Sequence, residues 1–146
     1  GTEEEDQKPK EPAHVIAYRE LEKLKKEKLW QNDKVKLYYT RLTDILRRYL
    51  WLRYDIKTLE RTTDEILDSL NNRGFERYDE LYKKLEDVLH RADLVKFAKW
   101  RPEPDENETS MDIAYDFVDK TKQEEVEESE KEENKESEGT QKKTEE

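Results

Sequence analysis

The sequence contains no cysteine, only three glycines and two histidines among its 146 residues. Without cysteine the protein has neither disulfide bonds nor thiol chemistry, and two histidines distant in sequence do not form the ligand set of a transition-metal site. So few glycines leave no glycine-rich loop for phosphate binding, and no serine lies in the strand–turn–helix context of a hydrolase nucleophile. We therefore predict no catalytic residue, no cofactor, no metal site and no enzymatic activity.

Long hydrophobic runs are also missing. No apolar stretch approaches the roughly 18–20 residues that a transmembrane helix needs, and no signal peptide is present. Hydrophobic residues make up 32% of the chain and charged residues 47%. This composition is poor in core-forming side chains, so it predicts that parts of the chain are disordered.

The net charge of -10 is concentrated at the two ends of the chain. Residues 1–12 carry five acidic residues and two lysines, and residues 123–146 carry eleven acidic residues and four lysines. The remaining residues, 13–122, hold 23 basic and 23 acidic side chains. We predict disordered acidic tails at 1–12 and 122–146 around a neutral helical domain at 13–121. A neutral domain has no general positive field that would attract nucleic acid.

The strongest apolar pattern lies in the stretch Lys34–Tyr54, which contains neither glycine nor proline. Its apolar residues recur every three or four positions, as on one face of a helix: Val35, Tyr38, Tyr39, Leu42, Ile45, Leu46 and Tyr49. At about 1.5 Å per residue such a helix spans about 30 Å, the width of a small domain. We predict that it is the central helix, with Asn32 or Asp33 as its N-cap.

Three further helices are predicted on the C-terminal side of the central helix. Ile56 and Leu59 are expected to point inward in the connection, and Thr62 with Glu65 forms a capping box for a short helix that ends at Gly74. A second apolar stripe follows: Phe75, Tyr78, Leu81, Tyr82, Leu85, Val88, Leu89 and Ala92. The segment 101–104 ends that helix, and a last one is expected to start after Thr109 or Ser110.

With a first helix from Ala13 to about Trp30, these segments predict an all-α protein, a compact bundle of about five helices. The short link at residues 31–33 makes the first two helices antiparallel neighbours.

Several segments together resemble a known family, in the order Pro12-Ala13-His14, Glu20-Leu21-Glu22, Lys28-Leu29-Trp30-Gln31, Tyr38–Leu50, Thr62–Leu67 and Ala92–Lys99. They are similar to the C-terminal, cytosol-facing helical domain of Bacteroidetes membrane proteins, in which an exported β-rich portion and one transmembrane helix precede the domain. Related BatD-like proteins are encoded in operons named for aerotolerance, beside MoxR-type ATPases and von Willebrand-type domains. The glycine usual in the turn after the central helix is Asp55 here. The family has no established catalytic residue to carry over.

The resemblance implies a non-catalytic interaction domain on the cytoplasmic face of the bacterial inner membrane. Its membrane association is expected only through a transmembrane helix outside the present sequence, since Gly1 is typical of a cleaved-tag remnant. We expect the isolated domain to be a monomer that docks a protein partner. The candidate partner-binding residues are Arg47, Arg48, Trp51, Asp93, Lys96 and Trp100.

Several alternatives compete with that interpretation of the site residues. The arginines of the central helix could form part of a nucleic-acid-binding helical module, or they could simply pair with acids such as Asp44, Asp64 or Glu65. Asp93 and Lys96 could be an ordinary surface pair at i, i+3 spacing. Trp51 lies off the apolar stripe, so either further helices cover it or it is exposed for a partner.

Overall fold

The computed structural model describes residues 9–123, and in this range it contains five α-helices, a short 3-10 helix and no strand. The helices are α1 (Ala13–Glu27), α2 (Val35–Tyr54), α3 (Thr63–Asn72), α4 (Glu80–Ala98) and α5 (Pro104–Thr121), with the 3-10 helix at Trp30–Asn32. This arrangement confirms the predicted all-α bundle. Of the disordered tails predicted at 1–12 and 122–146, residues 1–8 and 124–146 lie outside the described residues. None of the five helices combines the length and apolar composition of a membrane span.

Helix α2 is central, because it packs against α1, α4 and α5. Helix α5 also contacts α1 and α4, which closes a ring of four helices, and α3 packs against α4. Five members of the predicted α2 stripe are buried, namely Tyr38, Tyr39, Leu42, Leu46 and Tyr49. The three-and-four spacing of apolar residues therefore identified the face of α2 that forms the core.

The predicted starts of α5 and α4 are wrong, and each error has a local cause. Helix α5 begins at Pro104 rather than after Thr109, with Glu103 as its N-cap. The Glu106 carboxylate accepts from the Glu103 amide (3.0 Å), and the Glu106 amide donates to the Glu103 carbonyl oxygen (2.9 Å). Proline at the first helical position lacks only an amide that would be unsatisfied there, so here it starts a helix. Helix α4 begins at Glu80, capped by Asp79, and Tyr78 is therefore 86% exposed rather than part of the core stripe.

The start of α2 also differs from the prediction. Lys34 precedes the helix without a side-chain cap, and Asp33 adopts a left-handed conformation with φ of 63°. At the other end of α2 the left-handed position falls on Asp55, with φ of 57°. Gly74 after α3 is left-handed as predicted, with φ of 100°.

The capping box of α3 is confirmed. The Thr62 hydroxyl accepts a hydrogen bond from the Glu65 amide (3.2 Å), and the Glu65 carboxylate accepts one from the Thr62 amide (3.1 Å). The same amide bond lowers the pKa of Glu65. Two backbone amides at the helix start are thereby satisfied.

Replacement of Thr62 by alanine should lower the free energy of unfolding by about 0.5–2 kcal/mol, because the Glu65 amide loses its acceptor. Thr62→Ser is the matched control, since it keeps the hydroxyl and should stay close to the wild type. Urea unfolding followed by circular dichroism measures both variants. Equal stability of the alanine and serine variants would show that the cap contributes nothing.

Candidate functional site

Four basic side chains line one groove on the surface of the bundle. The groove lies between the C-terminal half of α2, the connection at residues 55–62 and α4, and its volume is about 980 Å³. Its lining includes Arg47, Arg48, Lys57 and Lys96, together with the apolar side chains of Trp51 and Leu59. We call it the basic groove. Asp44 and Glu60 are the two acidic residues in its lining.

Arg47 builds one wall of the basic groove. Its Nη1 donates hydrogen bonds to the carbonyl oxygens of Thr58 and Arg61, both at 2.9 Å. The buried Thr58 hydroxyl donates in return to the Arg47 carbonyl oxygen at 2.9 Å. These three bonds fasten the connection to α2. The side chain of Arg47 is therefore held in one orientation before any ligand arrives.

Among the described residues, one α2 arginine pairs with an acid, Arg41 with Glu27, and none pairs with the suggested Asp44, Asp64 or Glu65. The Asp64 carboxylate lies 3.2 Å from Nε2 of His90, and Glu65 belongs to the capping box of α3. The Arg47 side chain donates to backbone carbonyl oxygens, and Arg48 is exposed in the lining of the groove. Neither arginine has a carboxylate partner among the described residues.

Lys96 enters the groove from α4 and is half-buried. Its Nζ donates to the Thr43 hydroxyl at 3.1 Å and lies 5.8 Å from the ring centroid of Phe97. Burial lowers the pKa of Lys96, and the nearby positive charge of Arg47 lowers it further, while Asp93 and Asp44 act in the opposite direction. Two cations thus share a partly dehydrated site.

Asp93 does not form the ion pair that its spacing from Lys96 would allow. Its carboxylate accepts a hydrogen bond of 2.7 Å from the hydroxyl of Thr63, the first residue of α3. This bond attaches α3 to α4, so the role of Asp93 in the structure is to join two helices. Asp93 is not part of the groove lining.

Trp100 lies outside the groove lining, beyond the C-terminal end of α4. The Trp100 amide donates to the Leu94 carbonyl oxygen at 3.1 Å. Hydrogen bonds of this kind are common at helix C-termini, where the side chains of the two bonded residues often contact each other. Leu94, Phe97 and Trp100 are all exposed, Phe97 to 80%. We call these three residues the α4 end patch. The structure therefore places four candidate residues in the basic groove, Trp100 in the end patch and Asp93 between two helices.

Most described arginines outside the groove have a carboxylate partner, whereas Arg53, Arg61 and Arg73 donate instead to carbonyl or hydroxyl oxygens. Five arginines elsewhere between residues 9 and 123 have carboxylate partners: Arg19 with Glu11, Arg41 with Glu27, Arg77 with Asp68, Arg91 with Glu106 and Arg101 with Asp33. Within that same range, none of the four groove cations has one. The positive charge of the groove is therefore not neutralised by direct ion pairs within the described part of the domain.

The sequence-based prediction did not include Lys57 in the site, and it expected Leu59 to point inward, toward the core. Ile56 is buried as predicted, but Leu59 is 86% exposed. Glu60 adopts a left-handed conformation with φ of 64°, and the connection follows the hydrogen bonds to Arg47 rather than an apolar period. No local pattern of residues 55–62 carries that information, because the bonds come from another part of the chain.

A buried polar cluster between α2, α4 and α5 was also missed. The Tyr38 hydroxyl donates to the Asn107 carbonyl oxygen at 2.7 Å, and the Tyr39 hydroxyl donates to Asn107 Oδ1 at 2.8 Å. Ser110 Oγ lies 3.2 Å from the Tyr39 hydroxyl and accepts from Arg91 Nη1 at 2.7 Å. Every buried side-chain nitrogen and oxygen atom in the described range has a partner. A cluster with all its bonds satisfied acts as a structural link.

No group of three or more histidine, aspartate and glutamate side chains in residues 9–123 is arranged to hold a metal ion. Comparison with known proteins found no match to a protein-family model, a curated protein or a solved structure.

Proposed function

We propose that this domain is a non-catalytic docking module that binds a protein partner through the basic groove and the adjoining α4 end patch. The observation that carries the proposal is the convergence of Arg47, Arg48, Trp51 and Lys96 on one groove. Tryptophan and arginine dominate the binding energy of protein interfaces. Here a half-buried Trp51 lies beside two arginines in a concave surface.

The α4 end patch extends this surface. Lys96 belongs to the groove, and its Nζ faces the ring of Phe97, so the two surfaces meet at adjacent residues of α4. Exposed apolar side chains that cluster beside charged groups are typical of protein contact sites. The patch would supply apolar contact area and the groove would supply directional polar contacts.

The setting we propose is the cytoplasmic face of a bacterial inner membrane, as part of a longer membrane-anchored protein. Its support is the resemblance to the cytosolic domains of Bacteroidetes membrane proteins. The test is the full-length gene, where a hydrophobic span encoded upstream of residue 1 is expected. A gene without such a span would contradict the membrane setting while leaving the docking module intact.

Nucleic-acid binding is the second candidate, and the four cations of the groove favour it. Against it, residues 13–122 carry equal numbers of basic and acidic side chains, and Asp44 and Glu60 lie among the groove cations. A phosphate-backbone binder loses affinity steeply as salt increases. Titration of an oligonucleotide at several salt concentrations separates the two candidates.

The docking proposal is tested with Trp100→Ala, Arg48→Glu and Lys96→Glu, each confirmed as folded by circular dichroism. Tagged protein is incubated with lysate of the native host, and the recovered partner is quantified by mass spectrometry. We expect each variant to reduce the yield of a specific partner. Lys83→Glu is the matched control, because Lys83 is an exposed lysine of the same helix outside the groove and patch.

Recovery of the same partners at the same yield by all three folded variants would contradict the proposed surface. An equal loss with the Lys83 control would show that bulk charge, rather than the groove, governs capture.

A further inference from the structure

We infer that the basic groove recognises an acidic peptide segment of the partner, in which carboxylates flank an apolar side chain. This inference rests on the proposed docking function and adds the chemistry of the segment that is docked. It follows from three features of the groove: its excess of cations without direct carboxylate partners, its fixed hydrogen-bond donors and the apolar side chains of its lining.

The charge of the groove is the first feature. Its lining holds four cations and two acidic residues, whereas the domain as a whole is neutral. No carboxylate of the described chain pairs with Arg47, Arg48, Lys57 or Lys96, whereas five of the eight described arginines outside the groove have such partners. Lys96 and Arg47 are close enough to repel each other. Carboxylates placed between them would relieve this repulsion and supply the missing counterions.

The donors of the groove are the second feature. Both carbonyl hydrogen bonds of Arg47 use Nη1, which leaves Nη2 for a ligand while the guanidinium plane stays fixed. A planar guanidinium matches the geometry of a carboxylate, and a donor that is already oriented loses little entropy on binding. The exposed Arg48 adds a second guanidinium on the same helix face. Two or more carboxylates can thus be held at once.

The apolar side chains are the third feature. Trp51 forms part of the groove lining, and Leu59 is 86% exposed there. A ligand made only of carboxylates would leave Leu59 exposed to water. An apolar residue between the carboxylates would pack against Leu59 and remove apolar surface of both side chains from water, which favours binding.

The spacing of negative charges along the ligand favours a peptide over a nucleic acid. Asp44 and Glu60 lie among the cations, so a densely charged phosphate backbone would meet negative groups inside the groove. An acidic peptide places its carboxylates further apart and can direct uncharged groups toward these two acids. The volume of about 980 Å³ is at the upper end of the range for ligand pockets, which suits a few residues of an extended chain.

The inference is tested on the full chain with short synthetic peptides. The probe is a peptide of glutamates around one central phenylalanine, and the matched peptides replace either every glutamate by glutamine or the phenylalanine by glycine. Binding is followed by NMR chemical shifts of the groove amides and by titration calorimetry. We expect the probe to bind, and each matched peptide to bind at least about tenfold more weakly, the ratio that corresponds to 1.4 kcal/mol.

Arg48→Gln should weaken binding of the probe by about tenfold or more, since glutamine lacks the charge that strengthens the hydrogen bond to a carboxylate of the peptide. Lys83→Gln should leave it unchanged. The inference is overturned if the glutamine peptide binds as well as the probe, if no peptide binds, or if a thymidine oligonucleotide binds more tightly than the probe. Loss of partner capture by Trp100→Ala with no peptide binding would refute this ligand class alone. Failure of every groove and patch variant to reduce capture would refute the docking proposal itself.

Discussion

Replacement of Leu46 by alanine is expected to lower the free energy of unfolding by about 2–5 kcal/mol, because the variant loses buried apolar surface and leaves a cavity. Leu46 is fully buried in the middle of α2, the helix that contacts α1, α4 and α5. Its neighbours belong to several helices, so they cannot close the space by moving one side chain. Against a total stability of about 5–15 kcal/mol, the loss should be obvious in urea unfolding.

Leu37→Ala is the matched control for this result. It makes the same chemical change on the same helix, but Leu37 is 39% exposed. Its loss of stability should be clearly smaller than that of Leu46→Ala. Equal losses would mean that burial does not distinguish the two faces of α2.

The fold was largely readable from the sequence because its strongest determinants are local. The spacing of apolar residues in α2 fixes which face is buried, and the Thr62–Glu65 box fixes where α3 begins. The errors arose where one residue type permits opposite interpretations. Pro104 was interpreted as a helix stop, yet with Glu103 as N-cap it starts α5. A proline ends or begins a helix according to its position, which the residue type alone does not give.

The candidate site was only partly predictable. Arg47, Arg48 and Trp51 could be found because a regular helix places residues three and four apart on one face. Lys57 and Leu59 could not, since their positions depend on hydrogen bonds from Arg47 to the connection. The unpaired state of the groove cations is likewise a three-dimensional property. It depends on which carboxylates the fold brings near, and the sequence contains many of them.

High pH is expected to unfold this protein through its buried tyrosines. Burial raises the pKa of Tyr38 well above its ordinary value of about 10, and it raises the pKa of Tyr49 to about 12. In the native state the Tyr49 hydroxyl lies 2.7 Å from Thr121 Oγ1, and the Tyr38 hydroxyl donates to the Asn107 carbonyl oxygen. Ionisation would remove the proton that Tyr38 donates and would place a charge in the core.

The direction of the effect follows from proton linkage. The native pKa values lie above the unfolded value, so the unfolded state loses its phenol protons first as pH rises. The stabilisation is fully present below about pH 10 and is lost between about pH 10 and 12. For Tyr49 alone, a difference of about two pKa units corresponds to a loss of about 3 kcal/mol. Tyr38 acts in the same direction, so the sum is a large share of the total stability.

Urea unfolding at a series of pH values measures the loss, and tyrosinate absorbance of the native protein reports ionisation directly. We expect the unfolding free energy to be flat up to about pH 9 and to fall steeply above 10, with part of the tyrosinate signal appearing only as the protein unfolds. Tyr38→Phe and Tyr49→Phe separate this effect from simple loss of a hydrogen bond. Each should be less stable than the wild type at neutral pH, yet lose less stability between neutral pH and pH 11, because phenylalanine has no proton to release. If the unfolding free energy of a variant fell with pH as steeply as that of the wild type, the replaced tyrosine would not have a raised pKa in the native state.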